Sequence, residues 1–142
     1  MHQKFKILSL LVFVLATGSF AQAKSQLPES YLECSLENAW SIRFDRDSSQ
    51  LRLYSEIDKE KDFRFKNVQV VIDPLDAKKF AILTSAGKPL VTVVRDGQGS
   101  NGSSDILYPY NMQLETEING SVHLAPAGCI SDLYSDLVND NN

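Results

Sequence analysis

Trp40-Ser41-Ile42-Arg43-Phe44-Asp45-Arg46-Asp47-Ser48-Ser49-Gln50-Leu51-Arg52-Leu53-Tyr54 is the stretch that decides the fold. Trp40, Ile42 and Phe44 alternate with Ser41, Arg43 and Asp45; Leu51 and Leu53, extended by Ser55, alternate with Arg52 and Tyr54. A period of two puts one apolar face on each of two half-buried strands. Asp45 to Ser49 supplies the polar turn between them, so the stretch predicts a β-hairpin.

The same period continues outward. Phe63 and Phe65 alternate with Arg64 and Lys66 after the charged loop Asp58 to Asp62, and Val68 to Ile72 is a β-branched run stopped by Asp73-Pro74. Lys79 to Thr84 and Pro89 to Arg95 form a second predicted hairpin around Ser85-Ala86-Gly87-Lys88. Met112, Leu114, Thr116 and Ile118 alternate with polar residues up to Asn119-Gly120, a pair suited to a type I′ turn, and Val122 and Leu124 begin the return. Only Leu75 to Lys79 and Ile130 to Val138 have helical potential. The expectation is an all-β fold, a small antiparallel barrel or sandwich of about seven or eight strands.

Towards the N-terminus the character changes. Lys4 and Lys6 precede the apolar run Ile7 to Ala16, and Ala21-Gln22-Ala23 presents small residues for cleavage. This is the pattern of a secretory signal peptide, residues 1–23. The run falls short of the roughly 20 apolar residues of a membrane span, so no stable membrane insertion is expected after cleavage. Lys24 to Asn142 then forms the mature chain: a lead-in from Ser25 to Ser30, a single β domain within residues 24–138, and a disordered polar tail at 139–142. The expected location is periplasmic or secreted.

The mature chain holds 12 basic and 18 acidic residues. That balance argues against nucleic acid, which needs a clustered basic surface, and gives no attraction to anionic lipid. A basic partner is favoured by long-range steering. Cys34 and Cys129 lie near the two ends, and in an oxidising compartment such a pair forms a structural bridge. Two free thiols or a redox pair are the alternatives, although a redox pair is usually spaced C-x-x-C. A bridge would staple the first strand to the last.

Signals for chemistry are weak. Gly97-Gln98-Gly99-Ser100-Asn101-Gly102 matches G-x-G-x-x-G after a strand, but Ser103-Ser104-Asp105 leads to Tyr108-Pro109-Tyr110 rather than to the helix that a pyrophosphate site requires. It reads as a flexible surface loop, and no cofactor is expected. It also lacks the alternating acids of a calcium loop. His123 is the only mature histidine, too few ligands for zinc, and no serine sits in a nucleophile elbow. The chain therefore reads as a protein that is not an enzyme. For a hydrolase, the remaining combinations are a carboxylate pair among Asp45, Asp47, Glu56 and Asp58, or His123 with a carboxylate. Two sequons, Asn101-Gly102-Ser103 and Asn119-Gly120-Ser121, fall in predicted turns.

The aromatic residues are the better functional lead. Tyr31, Trp40, Tyr54, Tyr108 and Tyr110 suit either a recognition surface or the core. The expected binding surface is the Asp96–Tyr110 region, with Asp105, Tyr108 and Tyr110 as its contact residues and an unidentified protein or small envelope ligand as partner.

Tyr31-Leu32-Glu33-Cys34 followed by Ala39-Trp40-Ser41-Ile42, and Ser104-Asp105-x-x-Tyr108-Pro109-Tyr110 followed by Gly120 and Gly128-Cys129, resemble the two halves of a family of small uncharacterised bacterial envelope proteins. Members often carry a further cysteine where this chain has Gly99 and another where it has Ile130. Losing both together is what losing one disulfide looks like, which by the resemblance leaves Cys34–Cys129. The resemblance implies location and fold, and no activity. A second likeness is to periplasmic inhibitors of C-type lysozyme, which open with Tyr-x-Cys; here the spacing is one residue longer. It implies an inhibitor of a secreted hydrolase, with an acidic loop entering a basic cleft.

Overall fold

A computed structural model describes residues 27–118 and 121–139. The expected signal peptide, the Asn119-Gly120 turn and the last three residues of the tail lie outside them, as do the side chains of residues 116–124, His123 included. Eleven strands follow one another: β1 (Tyr31–Ser35), β2 (Trp40–Asp45), β3 (Gln50–Ser55), β4 (Asp62–Lys66), β5 (Gln69–Ile72), β6 (Lys79–Leu83), β7 (Pro89–Val94), β8 (Ile106–Leu107), β9 (Tyr110–Ile118), β10 (Ser121–Ser131) and β11 (Val138–Asn139). Nine of them form one antiparallel sheet in the order β4-β3-β2-β1-β10-β9-β7-β6-β5, curled into a half-barrel, while β8 and β11 pair separately. No described helix is long and apolar enough to cross a membrane.

The order has a simple logic. Each strand of the main sheet neighbours strands next to it along the chain, except where β1 meets β10 and where β7 meets β9 across the intervening β8. Because every pairing is antiparallel, the outermost strands β4 and β5 run in the same direction. They are also consecutive, separated by Asn67 and Val68 alone. One run, Asp62–Ile72, therefore supplies both edges: its first half pairs with β3 and its second half with β6. Asn67 makes the break with φ of 56°, in the left-handed region that asparagine tolerates better than most residues. The backbone N–H of Val68 then bonds the carbonyl of Ser49 at 3.0 Å.

The main sheet has nine strands rather than the seven or eight expected, because Tyr31–Ser35, which has no apolar alternation long enough to mark it, adds β1. Strands β8 and β11, two residues each, are too short to show an alternating pattern. Both hairpins read from the sequence are present. Asp45 pairs with Gln50 across the first, and its carboxylate accepts from the Ser48 N–H at 3.0 Å. Gly87, at φ of 87°, turns the second. Neither expected helix forms. Pro74 to Lys78 makes successive turns, held by the Asp73 and Asp76 carboxylates. In the other, Ile130 and Ser131 complete β10 and the chain beyond runs as an extended arm that ends in β11. Asn139, assigned to the tail, belongs to that strand.

The alternating residues meet in register on the inner face. Cys34, Ile42, Leu53 and Phe63 form one row, and Leu32, Phe44, Leu51 and Phe65 the next. Across the sheet, Met112, Val93, Phe80 and Ile72 make a third row and Leu114, Val91, Ile82 and Val70 a fourth. Side chains thus fill the interior. Cys34 lies directly opposite Cys129 with the Cα atoms 4.0 Å apart, and the two form a disulfide across the β1–β10 pairing.

The lead-in is part of the core. Leu27 and Glu29 are fully buried. Ordering Leu27 to Ser30 costs about 4–8 kcal/mol of backbone entropy at 1–2 per residue, whereas burying Leu27 returns about 2 kcal/mol. Polar contacts make up the difference. Arg46 Nη1 donates to the Leu27 carbonyl at 2.8 Å, the Asp132 carboxylate accepts from the Ser30 N–H at 2.9 Å, and Glu29 binds Arg95.

Candidate binding surface

Glu29 anchors a buried polar chain beneath the surface in question. Arg95 Nη2 donates to Glu29 Oε2 at 2.8 Å and Arg95 Nε contacts Oε1. The guanidinium also lies 4.8 Å from the centroid of the Phe80 ring and donates to the Ala77 carbonyl at 2.6 Å. Tyr110 donates its only hydroxyl proton to Glu29 Oε1 at 3.0 Å. The Ser131 hydroxyl, 2.7 Å from Tyr110 Oη, must then be the donor of that pair. Ser131 Oγ in turn accepts the N–H groups of Leu133 and Tyr134, each at 3.0 Å. The polarity is fixed from the arm inward: backbone N–H to Ser131 to Tyr110 to Glu29.

Burial pushes the Glu29 carboxyl up, but the Arg95 hydrogen bonds, its own backbone and Tyr110 outweigh that, and the net shift is downward. Tyr110 is pushed up well beyond the usual phenol range, first by burial and then by the neighbouring carboxylate. No described buried side-chain polar atom lacks a partner.

Tyr110 is therefore not a contact residue. It is wholly buried, its ring 6.1 Å from that of Tyr134, and its backbone is registered against Cys129. The sequence reading of Tyr110 as surface is corrected: a strand residue two positions from an exposed segment points to the core if the pleat so directs. Tyr108 is half-buried and packs on Gly128, where an added Cβ would lie 2.2 Å from the ring. Asp105 is exposed. The Tyr-Pro-Tyr and Gly-Cys segments thus meet as packing partners.

The loop from Asp96 to Pro109 is exposed but tied down rather than free. Gly99 and Tyr108 exchange both backbone hydrogen bonds, at 3.1 and 2.9 Å, and the Gly97 N–H bonds the Pro109 carbonyl at 3.0 Å. The Asn101 carboxamide accepts from the N–H groups of Ser103 and Ser104, both at 3.0 Å. Gly99 admits no side chain, since a Cβ would sit 1.9 Å from the Tyr110 carbonyl oxygen. The glycines of the G-x-G-x-x-G match serve this closed loop, which leads into β8 and not into a helix.

Beyond Ser131 the arm crosses to the same side and pairs with the loop, Val138 opposite Leu107 and Asn139 opposite Ile106. The Ser131 N–H bonds the Tyr134 carbonyl at 2.8 Å, and Asp132 is drawn towards Ser30. Serine and aspartate used in this way compete with a helix, which is why none forms. Among the described residues, seven large apolar side chains remain exposed, and five of them lie here: Ile106, Leu133, Tyr134, Leu137 and Val138, from 36% to 58% exposed. Ile106 falls in the binding region expected from the sequence, whereas the other four fall in a segment with helical potential only, where exposure has no signal of its own.

Two open depressions flank Tyr108. One, of about 410 Å³, lies between the loop and the arm, lined by Leu107, Pro109, Tyr134 and Asp136 among others. The other, of about 320 Å³, lies between the arm and the outer wall of β1–β3, where Glu33, Tyr54, Glu56 and Leu137 face it. Among the described residues, no three His, Cys, Asp or Glu side chains converge as metal ligands do. The fold and surface define a disulfide-linked, all-β half-barrel carrying an exposed apolar ledge. Comparison with known families, curated proteins and solved structures finds no match for the chain.

Proposed function

We propose that the chain is a secreted or periplasmic binding protein without enzymatic activity, and that it holds its partner on the ledge formed by the Asp96–Pro109 loop and the C-terminal arm. Among the described residues, the gathering of five of seven exposed large apolar side chains in one place carries the reading. Scattered apolar residues need no explanation, but a contiguous patch rimmed by polar groups is the usual mark of an interaction site. The disulfide, with no membrane-crossing helix among the described residues, is compatible with that location. The likeness to small envelope proteins belongs to the same proposal.

The test is a cross-linked pull-down from envelope extracts with the wild type and a Tyr134→Ser/Leu137→Ser variant. The variant should lose the partner while its melting temperature stays within a few degrees, because both side chains are about half exposed. Equal capture by both proteins would remove the ledge as the site. The acidic residues beside the depressions favour a second reading, inhibition of a basic secreted hydrolase. That reading requires a stable complex with a C-type lysozyme on a size-exclusion column, and it fails if no lysozyme binds.

A further inference from the structure

The ledge is acidic as well as apolar, and the two properties coincide for a reason visible in the chain. Residues 96–110 and 130–139 carry four of the 18 acidic residues, Asp96, Asp105, Asp132 and Asp136, and none of the 14 Lys and Arg. The rest of the mature chain holds 14 acids against 12 bases. Most of the mature protein's net negative charge thus belongs to the two segments that build the ledge. Elsewhere the charges are interspersed and paired across strands, as Arg52 is with Asp62 and Arg43 with Glu33.

Building on the binding reading above, we infer that the occupant of the ledge is a cationic, amphipathic peptide segment lying across Tyr108. Charge complementarity sets its sign: the loop and arm contribute acids and no base, and Arg43 and Arg52, which stand beside the second depression, are engaged with Glu33 and Asp62, so the surface steers cations rather than anionic chains and lipid. The exposed Tyr134, Leu137 and Val138 call for apolar anchors between the positive charges. Shape selects a segment over a folded cleft. The loop is closed at its neck, and the surface offers two open depressions either side of one tyrosine. A strand-like peptide places alternate side chains on one face, and so can seat apolar residues in both depressions while the long lysine stems of its other face bend round to the acidic rim.

The experiment uses three labelled synthetic peptides of equal length, alternating Lys with Leu, Glu with Leu, and Lys with Ser, titrated into the mature protein and followed by fluorescence anisotropy. The Lys–Leu peptide should bind, more weakly as salt rises, and the other two should not. Asp96→Asn/Asp136→Asn and Tyr134→Ser/Leu137→Ser should each weaken it by about tenfold or more. The asparagine at 96 keeps the oxygen that accepts the Gln98 N–H, so folding is preserved and is checked by the melting curve. Equal binding of the Glu–Leu peptide, no binding of the Lys–Leu peptide, or binding unchanged in both variants overturns the inference. Capture of a folded lysozyme without capture of the peptide overturns it as well. If the peptide fails while the ledge variant still loses its envelope partner, the surface stands and its cationic occupant falls.

Discussion

The half-barrel sheet is brought together in two places, and they are built in opposite ways. At the β1–β10 junction the first and last strands of the main sheet share a ladder, a disulfide and the buried Glu29–Arg95–Tyr110–Ser131 chain close by. At the β4–β5 junction the two edges share no ladder; they are successive parts of one run that breaks at Asn67. Where sequence-distant segments must meet, the protein uses covalent and ionic fastening. Where the chain itself provides the link, one left-handed residue suffices.

The comparison predicts a ranking of costs. Replacing both cysteines by serine should destabilise the protein most, by about 4–5 kcal/mol in the chain-entropy view of a loop of this length, read as a lower urea midpoint. An unchanged midpoint would mean that the ladder alone fastens the junction. Arg95→Met strands a buried carboxylate and should cost about 3–5 kcal/mol, whereas adding Glu29→Met to it should recover much of the loss.

The same pair contributes to the acid limb of stability, alongside the lowered carboxyls of Asp62 and Asp132. The Glu29 carboxyl lies below its ordinary value of 4.5, so its contribution is complete above that pH and is lost as pH falls through the lowered value. Tyr110 acts at the other extreme: raised from 10, it contributes fully below pH 10 and loses that contribution as pH rises further. In the Arg95→Met/Glu29→Met protein the acid limb should flatten, which denaturation between pH 2 and pH 6 would reveal (roughly the carboxylate range). Gly128→Ala, which drives a methyl into the Tyr108 ring, should cost about 1–3 kcal/mol. At the other junction, Asn67→Val should cost only about 1–2 kcal/mol and Asn67→Gly almost nothing. A loss at Asn67 as large as that of the disulfide would erase the distinction between the two junctions.

Much of this architecture is legible in the residues. The alternation through Ile42, Phe44, Leu51 and Leu53 marks residues that are indeed buried, and the two distant cysteines do join the first and last strands of the main sheet. What escapes is what has no period. Leu27 and Glu29 stand in a short polar lead-in, and the partners that bury Glu29 lie 66 and 81 residues away at Arg95 and Tyr110. Tyr108 and Tyr110 look equivalent in sequence, yet the pleat sends one onto Gly128 and the other into the core. The arm was readable only as a weak helix, because the Ser131 hydroxyl and Asp132 carboxylate find their partners through the tertiary fold.

The meeting of β1 with β10 also imposes an order on biosynthesis. The chain must be made as far as Ser131 before the inner edge of β1 finds its partner, since Leu32 to Ser35 pair with residues 128–131. A nascent chain can form its early hairpins but cannot close the sheet, and contacts of such long range are slow to form. The polypeptide leaving the ribosome is thus an open, threadable ribbon. Because the thiols of Cys34 and Cys129 come face to face only when that last pairing is made, their oxidation marks the completed molecule.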